Sequence, residues 1–442
     1  MQDIIKAVDK NRQLILDAEK FIWEHPETGY RETATSEYMA KKFEELGYKL
    51  TYAESITGFF TEIDTGKQGP KILILGELDS IICPSHPDAD KVTGAVHACG
   101  HNAQSATLLG VAAALKDRSV LEKFCGRIML CAVPAEEMIE LEYRNKLIEE
   151  GKIKYYGGKC EFLSRGYFDG VDIAFMIHHS TTSCGIAGAV GILAKSITYK
   201  GVSAHAGGSP WSGHNALYAA TCGLNAANAI RETFRDSDLI RFHPIITDGG
   251  SVVNAIPERA KIESYVRGRS YEAILSANDR INKALIGAAL SLDTNIDISE
   301  RAGYAPLVND KNLLEITKES FEELFPNEEY VLSSNISTGS TDMGDLSCIM
   351  PVVHPYIGGA SGTAHGNDYR ISDPELACVS NAKLHLMMLL KLLENNAKRA
   401  NKVISEANPP FASKEEYLSY IDGLTRSGDR ICYSDGTATI EL

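Results

Sequence analysis

The chain of 442 residues is 44% hydrophobic and carries a formal net charge of −15. This length is enough for a sizeable core divided between two or three domains. The acidic balance and the lack of a basic run argue against nucleic acid and membrane surfaces as partners. The 10 cysteines have no regular spacing, and no stretch has the apolar character of a signal peptide or a membrane span. We therefore expect a soluble, cytoplasmic protein with reduced cysteines.

The first 64 residues are predicted to form two helices and a weak pair of strands. Apolar residues recur at intervals of three and four over residues 4–22, and the pattern breaks at His25-Pro26. A second helix over residues 33–46 ends before Gly47, which suits the left-handed conformation that follows many helices. Residues 48–64 then have the pattern of two short strands.

Three apolar runs are typical of strands buried on both faces of a parallel sheet. They cover residues 71–76, 127–133 and 171–177. Each run is followed by side chains that can bind a metal: Glu77 and Asp79, then Glu136 and Glu137, then His178 and His179. Because open α/β sheets build their sites at the carboxyl ends of the strands, we expect these side chains to share one site.

A cluster of potential metal ligands, His97-Ala98-Cys99-Gly100-His101, lies between the first two runs, ahead of a helix over residues 103–116. A thiolate and a neutral imidazole separated by one glycine suit zinc or a similar divalent ion. The alternative is a buried cysteine between two surface histidines in a loop. The three strand ends that carry acidic or imidazole side chains favour the metal site.

A change of pattern near residue 190 indicates an inserted domain over residues 192–303. The predicted elements are a strand (191–200), a helix (215–234), two strands (241–247 and 260–267), a helix (271–290) and a strand (295–300). This β-α-β-β-α-β order is the split ferredoxin-like pattern.

The α/β pattern resumes after the inserted domain. A helix over 313–325, a strand over 350–357, a glycine-rich loop that contains His365 and a helix over 374–393 follow. We expect an α/β catalytic domain from residues 1–191 and 304–399, with a mostly parallel sheet flanked by helices. The inserted α+β domain interrupts it, and residues 400–442 form a polar C-terminal extension.

The ordered motifs resemble those of the dinuclear metallo-amidohydrolases of peptidase family M20, over about residues 10–395. The motifs are Gly76-Glu-Leu-Asp79, His97-Ala-Cys-Gly-His-Asn102, Pro134-Ala-Glu-Glu137, His178, Lys200-Gly-Val-Ser-Ala-His205 and His365. The chain is similar to the branch that contains aminobenzoyl-glutamate hydrolase and the indole-acetyl-amino-acid hydrolases. The resemblance implies a metallo-exopeptidase-like catalytic domain and a homodimer formed through the inserted domain.

The resemblance also implies a site with two divalent ions, manganese or zinc, bridged by Cys99. His101 and His178 would bind one ion, and Glu137 and His365 the other. Glu136 would be the general base. Asp79 would orient His101 through the other nitrogen of its ring.

Three residues of the inserted domain receive roles at the substrate. The resemblance implies that His205 reaches the active site of the partner subunit and stabilises the tetrahedral oxyanion. Asn254 would assist it. Arg267 is a candidate for a bidentate contact with a substrate carboxylate, and a solvated arginine at a strand end is the alternative.

The chemistry of the residues agrees with amide hydrolysis of a small-molecule substrate. Two divalent ions can acidify a bound water and polarise the carbonyl, and a nearby carboxylate can pass the proton to the leaving amine. Glu136 and Glu137 suit two distinct roles, because neighbouring side chains in extended backbone point apart. We therefore expect a metal-dependent amidohydrolase that acts on N-acyl amino acids or aminobenzoyl-glutamate-like conjugates.

The sequence departs from these relatives at several positions. A charged segment over residues 138–154 replaces the glycine-rich continuation after Glu137. Glu77 stands where related carboxypeptidases have a ligand histidine, so His101 would supply the imidazole. Gln104 stands where the indole-acetyl branch has a histidine. We expect His97 and His179 to lie at the rim of the site or behind its ligands, and the remaining histidines to be structural: His25, His86, His214, His243 and His354.

Three alternative functions stay open at this level. A dipeptidase or aminopeptidase of the same family would need an acidic group to hold the substrate ammonium. A hydrolase of another class would use Cys99 as a nucleophile and His101 as its base. A non-catalytic binding protein would have lost the base or a ligand, and neither loss is seen.

Overall fold

The computed structural model describes residues 1–434 and 437–441 and divides into two compact units. The catalytic unit consists of Met1–Gly188, Leu307–Asn335 and Thr341–Lys414. The second unit consists of Ala189–Pro306, Ile336–Ser340 and Glu415–Leu442. Residues 435, 436 and 442 of the predicted C-terminal extension lie outside the described residues.

The helices and strands are numbered in chain order. The helices are α1 (Gln2–Lys10), α2 (Arg12–Trp23), α3 (Thr33–Glu45), α4 (His101–Leu115), α5 (Arg118–Leu121), α6 (Leu141–Glu149), α7 (Gly158–Ser164), α8 (Ala216–Ile230), α9 (Tyr271–Ser291), α10 (Lys311–Leu324), α11 (Met343–Ser347), α12 (Asn381–Leu393), α13 (Lys398–Glu406) and α14 (Lys414–Asp422). The strands are β1 (Thr51–Tyr52), β2 (Phe59–Asp64), β3 (Lys71–Glu77), β4 (Ile81–Ile82), β5 (Ala95–Val96), β6 (Arg127–Val133), β7 (Ile173–Phe175), β8 (His178–His179), β9 (Cys184–Ala189), β10 (Gly191–Lys200), β11 (Arg241–Phe242), β12 (Ile245–Asp248), β13 (Arg259–Gly268), β14 (Asn295–Ala302), β15 (Leu307–Val308), β16 (Val331–Ser337), β17 (Val352–Val353), β18 (Tyr356–Ile357), β19 (Ala360–Ser361), β20 (Arg370–Ile371), β21 (Ile431–Ser434) and β22 (Thr437–Ile440).

The main sheet of the catalytic unit has the strand order β1-β2-β6-β3-β7-β17. Strands β6, β3, β7 and β17 run parallel, whereas β2 is antiparallel to β6. Every residue of β3 is buried, as the continuous apolar run predicts for a central parallel strand. The prediction of a mostly parallel sheet flanked by helices is confirmed.

Helix α4 is the central helix of the catalytic unit. All of its residues are buried, since it is apolar on every side and packs against α1, α2, α12 and β3. Residues 375–393, a π-helical turn followed by α12, form a stretch that is long and apolar enough to cross a membrane by length and composition. Because 72% of this stretch is buried in the protein interior, it has the character of a core helix.

A smaller sheet with the order β15-β9-β18-β8 continues the catalytic unit. Strand β18 lies parallel to β8, with Tyr356 opposite His178 and Ile357 opposite His179. This pairing brings the segment after β17 beside the two histidines that follow the third apolar run.

The second unit contains the predicted ferredoxin-like arrangement. Its antiparallel sheet has the order β11-β13-β10-β14, with β12 also paired to β13. Burial alternates along β13 and β14, and helices α8 and α9 pack against β10 and β13. The first segment of this compact unit spans residues 189–306. The inserted domain predicted from the sequence spans residues 192–303, so the two ranges differ by three residues at each end.

The C-terminal segment adds to the edge of this second sheet. Backbone hydrogen bonds join Glu300 and Arg426 in both directions, at 2.7 and 3.0 Å. The amide of Arg430 donates to the carbonyl of Ile296 at 2.8 Å. Residues 426–430 therefore pair with β14 and cover an edge that would otherwise be open.

Two predicted strands are each divided in the structure. The predicted strand 350–357 forms β17 and β18, which are separated by His354-Pro355. The predicted strand 241–247 forms β11 and β12, which are separated by His243-Pro244. Proline has no backbone N–H to donate to a neighbouring strand, so the ladder is interrupted at both positions.

Candidate active site

The first group of candidate ligands consists of Cys99, His101 and His178. Their ligand atoms lie within 4.8 Å of one another. The Sγ of Cys99 is 3.3 Å from Nε2 of His178, and the rings of His101 and His178 are nearly perpendicular, with centroids 5.8 Å apart. The start of α4 and the segment after β7 therefore bring a thiol and two imidazoles to one point.

Gly100 allows Cys99 and His101 to face this point. It has φ of +91° and directly precedes α4, so the chain turns sharply between the two side chains. A Cβ at this position would lie 2.5 Å from the hydroxyl of Tyr369, which donates a hydrogen bond to the carbonyl of Cys99. A larger residue would strain the backbone and displace this tyrosine.

Asp79 connects the two halves of the site. Nδ1 of His101 donates to the carbonyl of Asp79 at 3.0 Å and lies 3.1 Å from its carboxylate oxygen Oδ1. The other oxygen, Oδ2, accepts from the backbone amide of Glu137 at 2.7 Å. Since Nδ1 of His101 is engaged in this way, its Nε2 faces the cluster.

The second group of candidate ligands consists of Cys99, Glu137 and His365, again with ligand atoms within 4.8 Å. Nε2 of His365 is 3.0 Å from Oε1 of Glu137. The amide of His365 donates to the carbonyl of Ala98 at 2.8 Å, which fixes the glycine-rich loop beside the cysteine. Cys99 thus belongs to both groups.

Glu136 lies beside the first group. Its Oε2 is 3.9 Å from Nε2 of His101, and the residue is buried. Burial raises the pKa of Glu136 well above its usual value, and the carboxylates of Glu77 and Glu137 add to the rise. A carboxylate with a raised pKa is a stronger base than an ordinary glutamate.

The charges of the cluster depend on one another. Burial opposes ionisation of Cys99, but His101 and His178 outweigh it and hold the pKa of the thiol well below its usual range. Burial opposes protonation of His101 and His178, and the Cys99 thiolate raises the pKa of both. Glu137 raises the pKa of His365 to about 11. The site therefore combines anionic and imidazole ligands at close range.

These residues fit a pair of divalent cations. Oε2 of Glu77 and Nε2 of His101 are fully buried and have no hydrogen-bond partner among residues 1–434 and 437–441. Because Nδ1 of His101 is the donor to Asp79, its Nε2 and the Glu77 oxygen are two acceptors that face each other, and a cation between them would satisfy both. Thiolate, imidazole and carboxylate are the ligands that zinc and neighbouring divalent metals take in proteins.

The model of peptidase family M20/M25/M40 matches residues 75–390. This match covers more than half of the chain and contains every candidate ligand. The chain belongs to this family. M20 enzymes are hydrolases that act on amide or peptide bonds and use a dinuclear metal site.

Relatives of this M20 protein are named for different activities. An Xaa-Arg dipeptidase of Mus musculus is 27% identical over 408 residues, which cover 89% of this chain and 86% of the relative. One chain of the p-aminobenzoyl-glutamate hydrolase of Escherichia coli (strain K12) is 27% identical over 320 residues, which cover 67% of this protein and 60% of that relative.

Solved structures show the same fold. The YXEP protein of Bacillus subtilis, described as a dinuclear metal binding peptidase from the M20 family, superposes with a TM-score of 0.63 at 21% identity. The superposition covers 87% of this chain and 99% of that one.

Two buried residues beside the cluster, Lys159 and Asp342, were not predicted as site residues. Lys159, at the start of α7, donates to Glu77 at 2.5 Å and also to Asp342. The sequence contains no signal for either residue, because Lys159 follows a charged segment and belongs to no motif, and Asp342 lies far from it along the chain.

Residues 138–156 are anchored to the site through Arg144. This buried side chain of α6 donates to the backbone carbonyls of Glu137 and Tyr156. Leu147 and Ile153 pack against Tyr30. The segment therefore folds over the strand end that carries Glu136 and Glu137 instead of extending away from it.

Two further side chains of the catalytic unit contact the ligand His178. The ring of His354 is perpendicular to it at 5.6 Å between centroids, and the ring of Tyr356 lies 5.6 Å from it. Burial lowers the pKa of His354 to about 3, so this imidazole is neutral. In the sequence His354 belongs to no motif, and nothing there separates it from the structural histidines.

The two histidines that adjoin ligands in the sequence, His97 and His179, are both buried. Nε2 of His179 lies 2.8 Å from the carbonyl of Ala377, away from the ligand groups. Burial lowers the pKa of each to about 3, so both imidazoles are neutral. The structure therefore places neither histidine at an exposed rim of the site.

His205, Asn254 and Arg267 lie in the second unit. Nδ1 of His205 accepts from the amides of Gly207 and Gly208, at 3.1 and 2.9 Å, so its proton is on Nε2. The amide of Ala206 donates to the carbonyl of Asn254 at 2.9 Å, which places the two loops side by side. The guanidinium of Arg267 instead donates to His243 at 3.0 Å and to Ser340 at 2.9 Å.

Proposed function

We propose that this M20 protein hydrolyses the amide bond of N-acyl amino acids or of aminobenzoyl-glutamate-like conjugates. The observation that carries the proposal is the position of Glu136. Its carboxylate lies 3.9 Å from Nε2 of His101, beside two groups of metal ligands that share Cys99. A base adjacent to a dinuclear site is what hydrolysis of an amide at neutral pH requires.

Cys99, His101 and His178 would hold one ion, and Cys99, Glu137 and His365 the other. Two divalent cations supply Lewis acidity, which lowers the pKa of water and polarises the amide carbonyl. The soft thiolate and the imidazoles suit zinc, while the carboxylates suit manganese, so we propose that either metal supports activity.

Glu136 takes the proton from the attacking water and delivers it to the leaving nitrogen. Its burial and its carboxylate neighbours raise its pKa, which strengthens it as a base. After it has accepted the proton, the same environment makes the neutral acid a ready donor close to the substrate. Asp79 keeps His101 and the backbone of Glu137 in place during this exchange.

The second unit is proposed to supply substrate contacts in a homodimer. The proton on Nε2 of His205 would stabilise the tetrahedral oxyanion in the active site of the partner subunit. Asn254, whose loop lies beside that of His205, would assist. Arg267 would bind the carboxylate of the substrate. We also propose a cytoplasmic location, which the net charge of −15 and the free cysteines support.

A dipeptidase is the second candidate function. It is favoured by the Xaa-Arg dipeptidase relative, which aligns with 89% of this chain. A dipeptide has a free ammonium group, and binding it needs a carboxylate that is not engaged by a metal. An N-acyl substrate has no such charge, so the two candidates differ in one chemical group.

A substrate panel with metal-stripped protein tests the proposal. N-acetyl, N-benzoyl and aminobenzoyl amino acids are compared with free-amine dipeptides, before and after manganese or zinc is restored. Metal-dependent release of free amino acid from the N-acyl compounds supports the proposal, whereas cleavage of dipeptides alone supports the second candidate. Alkylation of Cys99 in the metal-loaded protein distinguishes a nucleophilic thiol, which reacts, from a bridging thiolate, which is protected.

A further inference from the structure

The carboxylate of Glu77 faces two different partners. Glu77 is the last residue of β3, and only 1% of its surface is exposed. Its Oε1 accepts from the ammonium of Lys159 at 2.5 Å. Its Oε2 lies 3.1 Å from Nε2 of His101, the nitrogen that faces the first metal group, and has no hydrogen-bond partner in the described part of the chain.

Lys159 binds a second carboxylate, that of Asp342. Its ammonium donates to Oδ1 of Asp342, and its backbone amide donates to Oδ2 at 2.9 Å. All three side chains are buried. Among these three side chains, one ammonium therefore meets two carboxylates. A buried charge needs a counter-ion, so a positive group is expected beside the remaining oxygen of Glu77.

Glu77, and not Asp342, has the carboxylate oxygen that faces the first group of candidate ligands. Both oxygens of Asp342 are engaged by Lys159, one through its ammonium and the other through its backbone amide. A cation beside Oε2 of Glu77 would balance the remaining charge.

We propose that Glu77 is an additional ligand of the ion that His101 and His178 hold, and that Lys159, itself held by Asp342, orients its carboxylate. The ligand atoms of Glu77, His101 and Glu136 lie within 4.8 Å of one another, which is compact enough for an ion at this position. Glu77 adds an oxygen ligand to a thiolate and two imidazoles. The inference rests on the proposed function only in that it concerns the same pair of ions.

The local fold holds Glu77 and Lys159 together. The hydroxyl of Ser105 on α4 donates to the carbonyl of Glu77 at 2.6 Å. Gly158 begins α7 against the strand end, since a Cβ there would lie 1.7 Å from the carbonyl of Pro134. Only glycine permits this approach, and it brings the next residue, Lys159, within reach of Glu77.

A carboxylate ligand should change the metal preference of the site. Oxygen ligands suit manganese, whereas thiolate and imidazole suit zinc. Glu77→Gln keeps the shape of the side chain and removes its charge. We expect this substitution to weaken Mn²⁺ binding at one of the two ions by about 100-fold and Zn²⁺ binding by about tenfold, because loss of even an indirect partner of a metal ligand costs about 10–100-fold.

The test is competition of the full-length protein with a chelator for Mn²⁺ and for Zn²⁺, with no substrate present. Glu300→Gln is the matched control, because Glu300 is also buried and paired with a lysine but lies in the second unit. Its metal affinities should equal those of the wild type. Equal Mn²⁺ and Zn²⁺ affinities in Glu77→Gln and wild type, or an equal loss for both metals, would overturn the proposal.

A second variant covers the case in which Glu77→Gln does not fold. Glu77→Asp keeps the charge beside Lys159 but withdraws the oxygen from His101, so it should fold and still lose Mn²⁺ affinity. Wild-type Mn²⁺ affinity in this variant would also contradict the proposal. Because these measurements contain no substrate, inactivity of the wild type on the panel would overturn the proposed function and leave the assignment of Glu77 standing.

Discussion

Two buried lysines, one in each unit, have similar surroundings but different charge balance. In the second unit the ammonium of Lys195 donates to Asn278 at 2.8 Å, to Asn282 at 2.6 Å and to Glu300. One ammonium meets one carboxylate, and all three donors of the lysine are used. In the catalytic unit Lys159 meets two carboxylates, and one oxygen of Glu77 is left facing a histidine.

This difference separates a structural cluster from a functional one. Two asparagines and a lysine all donate to Oε1 of Glu300, so the one carboxylate of this cluster is paired with the one ammonium. The Lys159 cluster keeps an excess negative charge next to the ligand His101. Buried polar groups are normally satisfied, and a bound ion is one reason for an exception in a native protein. The Lys195 cluster is thus an internal reference for the site.

The largest effect is expected from removing either lysine. Lys159→Met and Lys195→Met each leave a buried carboxylate without its counter-ion, which should lower the free energy of unfolding by about 3–5 kcal/mol. Chemical denaturation of metal-free protein measures this loss.

Added metal should then distinguish the two lysine variants. Divalent ions stabilise any variant that binds them in the folded state. In Lys159→Met the carboxylate of Glu77 loses the partner that orients it as a ligand, so the stabilisation by Mn²⁺ should fall below that of the wild type. In Lys195→Met it should equal that of the wild type. Equal gains in both variants would remove the distinction between the clusters.

A smaller effect is expected from Asp79→Asn. The asparagine side chain is neutral and has only one acceptor oxygen, so it cannot accept from both His101 and the backbone amide of Glu137. Both candidate ligands therefore lose orientation. Metal affinity should fall by about 10–100-fold. Asp310→Asn is the control, because Asp310 caps α10 in the same unit and accepts from Leu313 at 2.9 Å. Calorimetric titration with Zn²⁺ should separate them, and similar affinities would refute a positioning role for Asp79.

The smallest effect is a dependence of metal binding on pH. Glu137 raises the pKa of His365 to about 11, so the metal-free imidazole is protonated at neutral pH. A metal ligand must be neutral, so binding releases this proton, and affinity should fall about tenfold for each pH unit as the pH is lowered. Metal binding to His365→Gln should release fewer protons than metal binding to the wild type. Calorimetry in buffers of different ionisation enthalpy counts these protons. An unchanged proton count would contradict this account.

Much of the fold follows from local sequence signals. The continuous apolar runs predicted β3, β6 and β7, and the helical pattern ahead of Lys116 predicted α4 with only small differences at its ends. These signals are strong because a strand buried on both faces has to be apolar throughout. The breaks at Pro244 and Pro355 were missed, although proline does not donate to a ladder. The pairing of residues 426–430 with β14 depends on contacts between distant segments, which local patterns do not contain.

The candidate site could be predicted only in part. The metal-type side chains at the strand ends are visible in the sequence because parallel strands end at the same edge. Lys159 was not visible, since the charged segment separates it from Glu137 along the chain and its role depends on Asp342, which is far away in sequence. The arrangement in which one oxygen of Glu77 contacts Lys159 and the other faces His101 becomes apparent only in the folded structure.

The most direct test of the central claim uses Glu136→Gln beside the wild type, each loaded with two equivalents of Mn²⁺ or Zn²⁺. Metal content and single-turnover hydrolysis of the best N-acyl amino acid are measured on the same samples. The account predicts that both proteins retain the metal and that the variant is slower by about 10²–10⁴-fold, the usual contribution of a general acid–base group. A variant that binds metal and cleaves at the wild-type rate would show that Glu136 is not the base.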